Sequence, residues 1–236
     1  MTVPNSEATV RERVFAALLD AVLGGRYAPG ERLPAQRALA ADLGVTMGSV
    51  REALKRLEQM GLVDVRHGEP MRVRDWRSAG GLDVLAHLVL RSGELDPVLL
   101  GDVLEARALM LGEIAALAAE RRGAARAGAL RDLAAALAAE RDPSRAAALD
   151  FAWVTELAEA ARNVVFLLIL NAIRDVYLAH PGVVPVTAEP AALATAYAAV
   201  TVAVAAGDAA AARRAALTLA ALQRDQVARA LAGGAA

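Results

Sequence analysis

The 236 residues carry 26 Lys and Arg against 27 Asp and Glu, contain no Cys, and are 56% hydrophobic but only 3% aromatic. Without Cys there are no disulfides, thiolate metal sites or cysteine nucleophiles, and the length suffices for two buried cores. The net charge of −1 excludes a broadly basic protein; residues 1–77 hold 12 Lys and Arg against 10 Asp and Glu, and the remainder 14 against 17, so a nucleic-acid surface must be a small patch on the first portion.

In chain order, residues 8–25 read as an amphipathic helix with Val10, Val14, Ala17, Leu18, Ala21 and Val22 on one face, stopped by Gly24-Gly25. Tyr27 to Pro34 is a turn-rich connection. A short helix over residues 35–43 pairs Leu39 with Leu43, and Gly44 supplies a residue able to take positive φ at its end. Thr46 is suited to cap a second helix in which Val50, Ala53, Leu54, Leu57 and Met60 recur at helical spacing. Met47, Gly48, Ser49, Arg51 and Lys55 then lie on the other faces, an arrangement that reads as a helix-turn-helix with a polar and basic front turn. After Gly61, residues 62–66 and 71–74 read as strands around a His67-Gly68-Glu69-Pro70 turn, which completes a winged helix.

The run Tyr27-x-Pro-Gly-x-x-Leu-Pro-Ala-x-Arg37-x-Leu-Ala-x-x-Leu-Gly-Val-Thr46-x-x-x-Val-Arg51-Glu-Ala-Leu-x-Arg-Leu, continued by Gly61-Leu-Val, resembles the N-terminal domain of GntR-family bacterial transcription regulators. His67-Gly68-Glu69-Pro70, Val73, Trp76 and Gly81-Leu82 resemble the wing and linker of the FadR-type branch, whose best-known member senses long-chain acyl-CoA. The resemblance implies double-stranded operator DNA as partner, with Arg37 and Arg51 bringing guanidinium groups to it and the wing tip, His67 and Gly68, entering the minor groove. A guanidinium fork can grip phosphate or the N7/O6 edge of guanine; the alternative for each Arg is a solvated side chain paired with a neighbouring acid, and for His67 an ordinary solvated turn. Thr46 and Ser49 offer short hydroxyls at a helix N-terminus, suited to phosphate, and Thr46 can serve as cap as well. At the position of Met47 the FadR pattern has an Arg. Met47 cannot hydrogen-bond guanine but can touch a thymine methyl, and with Gly48 beside it the FadR operator is not transferable.

From Leu82 the chain is rich in Ala and Leu with almost no strand signal, and reads as helices over about 82–91, 96–121, 124–141, 144–161, 163–179, 189–206 and 208–231. Asp96-Pro97 and Asp142-Pro143-Ser144 fit helix starts. The expected fold is mainly α: a winged helix-turn-helix over 1–75, a linker over 76–81, and an all-helical effector-binding and dimerisation domain over 82–236. The longest apolar stretch, Ala191 to Ala206, is Ala/Val/Thr-rich and closes at Gly207-Asp208, so a buried bundle helix is expected and no membrane span. With no N-terminal charged-then-apolar signal segment, the protein is expected in the cytoplasm.

Many FadR-like effector domains bind a metal through an Asp, a His four residues on, and further His residues. Here Asp150 matches the Asp, but Val154 follows it, Tyr197 and Leu219 fall where His is found, and the chain has only His67, His87 and His180, so no metal and no cofactor are expected. The acyl-CoA-sensing branch also lacks the metal, and Arg107, Asp150, Tyr177 and Tyr197 resemble positions of its ligand site. Acyl-CoA is therefore the leading effector, with a different organic acid or hydrophobic metabolite as runner-up. For Arg107 the alternative is an internal ion pair with Glu105, Glu113 or Asp150; for each Tyr it is core packing. No GxGxxG, P-loop, HExxH or Ser-His-Asp pattern is visible, so the protein is not expected to be an enzyme. A helical adaptor acting only through protein contacts would leave the front turn and wing without purpose. The expected mechanism is a homodimer on a palindromic operator, a repressor released when effector binds.

Overall fold

Capping chemistry sets the turn between the second and third helices in the computed structural model, which describes residues 6–65, 70–91, 94–121, 124–179 and 189–233. Helix α1 spans Ser6–Leu23, α2 Gln36–Leu43 and α3 Met47–Gln59. Gly44 ends α2 in the left-handed region at φ 64, as its sequence position predicts, and Thr46 caps α3 by accepting the Ser49 N–H at 3.3 Å. The stripe Val50, Ala53, Leu54 and Leu57 is buried, with Met60 at its edge.

The buried face of α1 keeps Val14, Leu18 and Val22 of the expected one but is rotated away from Ala17 and Ala21. Val14, Phe15, Leu18, Leu19, Val22 and Leu23 pack into the core, Ala17 is exposed and Ala21 is half-buried. Phe15 and Leu19 bring far more apolar area than the alanines, so the helix turns them inward. Arg56 of α3 lies 3.6 Å from the Phe15 ring centroid and pairs with Glu12 at 2.8 Å, which joins the two helices at the rim of this core.

The wing forms as strands β1, Val63–Asp64, and β2, Arg72–Val73, with Val63 opposite Val73 and Asp64 opposite Arg72. The connection read as turn-rich supplies a third edge. Leu33 N–H donates to Met71 O at 2.9 Å and Val73 N–H to Glu31 O at 3.0 Å, so donors of both segments are satisfied. Gly61, at φ 73, turns the chain from α3 into the wing, and a Cβ there would stand 2.3 Å from the Ala79 carbonyl oxygen. Gly61→Ala combines left-handed strain with a backbone clash and is expected to destabilise this unit by ~2–3 kcal/mol, read as a drop in the urea midpoint.

Two compact units divide at Asp96/Pro97, later than the expected linker. Helix α4, Trp76–Ala79, is capped by Asp75, and α5, Asp83–Val89, leads into the short hairpin of β3, Leu90–Arg91, and β4, Glu94–Leu95. The segment from Leu82, assigned above to the helical domain, belongs with the first unit: Val84 is in its core and His87 meets Phe15 edge-on at 5.9 Å. Burial, and then Arg56, hold the His87 pKa below its ordinary value.

The second unit is all helical: α6 Pro97–Glu120, α7 Ala124–Ala139, α8 Pro143–Ala160, α9 Val164–Ala179, α10 Pro190–Ala206 and α11 Ala209–Gly233. Asp142 caps α8 ahead of Pro143, as the sequence predicts. Helix α6 packs on α11, α8 and α10; α10 packs on α11 and α7; α7 and α9 both pack on α8. Alanines and Gly112 permit close approach: a Cβ on Gly112 would already touch Leu217 at 3.4 Å. Around them Leu111, Ile114, Leu130, Leu137, Trp153, Leu157, Leu193, Tyr197 and Leu219 fill the core.

A candidate DNA-reading helix and a buried polar network

In the first unit the chemistry-bearing residues sort by what already holds them. Arg56 is engaged with Glu12 and Phe15, Arg72 donates to the Gly30 carbonyl at 2.7 Å, and Arg77 lies over Trp76. Arg37, on the first turn of α2, and Arg51 and Lys55, on α3, are exposed, and none is in an ion pair among the described residues. Met47 is 45% exposed and Gly48 stands beside it with only Thr46 Oγ1 near its Cα face. Met47, Arg51 and Lys55 are four residues apart and share one side of α3.

Ser49 is placed differently. Its residue is buried, and its Oγ lies 3.1 Å from Thr46 Oγ1, so the hydroxyl completes the cap instead of joining the exposed row. A cleft of about 310 Å³ opens at this turn, lined by Val10, Arg11, Gly44, Val45, Thr46, Gly48 and Ser49. His67 and Gly68 lie outside the described residues.

In the second unit the core contains a charged network drawn from four helices. Arg107 of α6 donates to Asp150 Oδ2 of α8 at 3.2 Å and to Gln223 Oε1 of α11. Tyr197 of α10 donates its hydroxyl to Asp150 Oδ1, while Gln223 Nε2 donates to the same carboxylate oxygen at 3.2 Å and to the Tyr197 hydroxyl at 2.8 Å. Asp150, Tyr197 and Gln223 are buried, and the Arg107 side chain is 20% exposed. Of the acids open to Arg107 from the sequence, Asp150 is the partner; Glu113 is held by Arg213 at 2.6 Å. Arg107, Asp150 and Tyr197, expected at the effector site, thus meet in one cluster. The fourth residue expected there, Tyr177, is on α9, and its side chain lies outside the described residues.

Gln223 escapes the sequence reading, although its register gives it away. It follows Ala212, Ala216, Leu219 and Ala220 and precedes Val227 on the buried stripe of α11, so a polar amide at that place must find internal partners. Trp153 escapes it as well. It is fully buried, meets Tyr197 edge-on at 4.9 Å, and its indole Nε1 has no hydrogen-bond partner among the described residues. Among the described residues there is no group of three or more His, Cys, Asp or Glu able to hold a metal ion, and no helix is long and apolar enough to cross a membrane.

Comparison with known families decides the identity of both units. The profile described as bacterial regulatory proteins, gntR family, matches residues 10–73, and the FCD domain profile matches residues 102–222. The chain belongs to the GntR family. Its members are transcription regulators, not enzymes, and this GntR chain carries the FCD ligand-binding domain behind the helix-turn-helix. The HTH-type transcriptional regulator Mce2R of Mycobacterium tuberculosis is 48% identical over 118 residues, 50% of this chain and 49% of that protein. The fatty acid metabolism regulator protein of Edwardsiella ictaluri is 33% identical over 163 residues, 68% of this chain and 66% of that protein. The match thus spans about half the length of the first curated relatives. The solved structure of Lar, described as controlling expression of the Listeria monocytogenes agr system, shares the fold with TM-score 0.54 at 18% identity, covering 93% of this chain and 96% of Lar.

Proposed function

We propose that this GntR regulator binds a two-fold symmetric operator as a homodimer and leaves it when an effector, a long-chain acyl-CoA, enters the FCD domain. On DNA, Arg37 and Arg51 grip phosphate and guanine edges, Thr46 and the Gly48 backbone approach phosphate at the start of α3, and Met47 meets a thymine methyl. Ser49 acts through Thr46, and His67 and Gly68 enter the minor groove from the wing tip. What carries the DNA reading is the exposed row Met47, Arg51 and Lys55 on α3, with neither cation engaged by an acid of the described residues.

The effector half of the proposal rests on the Arg107–Asp150–Tyr197–Gln223 network inside an alanine-lined bundle, with Tyr177 as a further contact. The likeness to a fatty acid metabolism regulator supports an acyl-CoA. A ligand seated against this network bears on four helices at once, and its differential affinity for two helix arrangements sets the coupling. A coupling of about 1–3 kcal/mol corresponds to a change in operator affinity of about 5- to 150-fold.

The test is thermal unfolding of the full chain against long-chain acyl-CoAs, CoA, free fatty acids, small carboxylates and Zn²⁺, followed by gel shift on the selected operator. Acyl-CoA, and not CoA alone, is expected to raise the midpoint of the second unit, since a ligand that prefers the native state stabilises it. The same ligand is expected to release the operator. A midpoint moved only by small carboxylates or Zn²⁺ would replace the effector assignment and leave the DNA reading standing.

A further inference from the structure

We propose that Trp153 is an effector contact whose indole N–H donates to an uncharged carbonyl oxygen of the bound molecule, so that the FCD domain of this protein reads a thioester, ester or amide rather than a carboxylate. The inference rests on the effector reading above and extends it to the chemistry of the recognised group.

A buried donor without an acceptor costs about 1–3 kcal/mol, and the large majority of such groups in folded proteins are satisfied. Trp153 Nε1 stands out because the surrounding polar groups are all engaged. Asp150 receives Arg107, Tyr197 and Gln223; Gln223 uses both its oxygen and its nitrogen; the Tyr197 hydroxyl donates once and accepts once. Trp153 sits one helical turn beyond Asp150 on α8 and against the Tyr197 ring, so its open donor belongs to the same part of the core. The rest of that core is mostly Ala, Leu and Val.

Charge then selects the acceptor. The Asp150 carboxylate already faces the Arg107 guanidinium, and a carboxylate brought into the same apolar surroundings would have to lose its water and share that cation with Asp150. A neutral carbonyl asks for neither. It can accept from the indole while its apolar chain enters the alanine-rich core, and Asp150, Arg107 and Gln223 keep their mutual bonds.

Palmitoyl-CoA and S-hexadecyl-CoA, a thioether that lacks the carbonyl, separate the carbonyl from the rest of the molecule. Wild-type protein is expected to bind palmitoyl-CoA about tenfold more tightly than the thioether, the size of one hydrogen bond to a neutral partner. Trp153→Phe is expected to bind both alike, at the affinity wild type has for the thioether. Incorporation of benzothienylalanine at position 153, which puts sulfur in place of N–H within the same ring outline, is expected to give the same result without a change of volume. A tenfold preference that survives in both variants would overturn the assignment of Trp153 and leave acyl-CoA as effector. Wild-type binding of palmitate but not of methyl palmitate would overturn the neutral-carbonyl reading. Wild-type protein indifferent to all four molecules would remove the effector reading, and this inference with it.

Discussion

Arg107→Ala is expected to lower the unfolding midpoint of the second unit by roughly 10 °C, a larger effect than removal of any surface ion pair of this protein. The magnitude follows from what the substitution leaves behind. Asp150, 2% exposed, loses the cation that faces it and keeps the neutral Tyr197 and Gln223 donors. Breaking a buried pair by removing one partner costs about 3–5 kcal/mol, and each kcal/mol moves the midpoint of a unit of this size by about 2–4 °C. Arg107→Met combined with Asp150→Leu removes both charges and is expected to recover most of the loss. The double variant distinguishes an orphaned carboxylate from simple loss of packing. By contrast, Arg213→Ala opens the exposed pair with Glu113 and is expected to change the midpoint by no more than about 2 °C. An Arg107→Ala midpoint within about 2 °C of wild type would mean that the network does not hold the four helices together.

The network also shows which parts of this protein are legible in its sequence. The helix-turn-helix is readable because each of its devices is local: Gly44 at a left-handed stop, Thr46 as a cap, and Val50, Ala53, Leu54 and Leu57 at helical spacing. The family match over residues 10–73 follows from that density of signals. In α1 the sequence yields the right period and three of the buried positions, Val14, Leu18 and Val22, but centres the face too far toward Ala17 and Ala21, because counting apolar positions weighs Ala17 like Phe15, and burial weighs them by area. The strand-like pairing of residues 31–33 with β2 rests on backbone donors and leaves no side-chain pattern. The hairpin at β3 and β4 is two residues long on each side, too short for alternation to register.

The candidate effector residues are legible as types in an apolar context, and their mutual bonds are not. Arg107 and Asp150 are 43 positions apart and Arg107 and Gln223 are 116 apart, so only the packing of α6 on α8 and α11 brings them together. Gln223 and Trp153 are nevertheless open to a stricter rule: a polar or amphipathic side chain in phase with a buried stripe needs a partner. Ser49 falls to the opposite error. A hydroxyl at a helix N-terminus suits phosphate, yet the same geometry places it within reach of the Thr46 cap, and the structure takes the internal partner.

Arg51→Ala is expected to weaken operator binding by at least about 30-fold while leaving the helical content and the midpoint of the first unit unchanged. The second half of that expectation comes from its setting: Arg51 is exposed on α3 and holds no ion pair among the described residues, unlike Arg56 on the same helix, which is engaged with Glu12 and Phe15. The first half comes from geometry and symmetry. A bidentate guanidinium contact discriminates by about 1–3 kcal/mol, and the proposed homodimer would make it once in each half-site, so about 2 kcal/mol is the lower bound for the pair. Arg51→Lys separates the two interactions that a guanidinium can make, because Lys keeps a point charge for phosphate but loses the fork for guanine. If Arg51 reads a base, Lys is as damaging as Ala, selectivity relaxes at one position of each half-site, and the salt dependence is unchanged. If it grips phosphate, Lys restores most of the affinity, and Ala reduces the slope of log K against log salt by about one for each phosphate no longer neutralised. An Arg51→Ala protein that binds its operator like wild type would displace α3 from the groove.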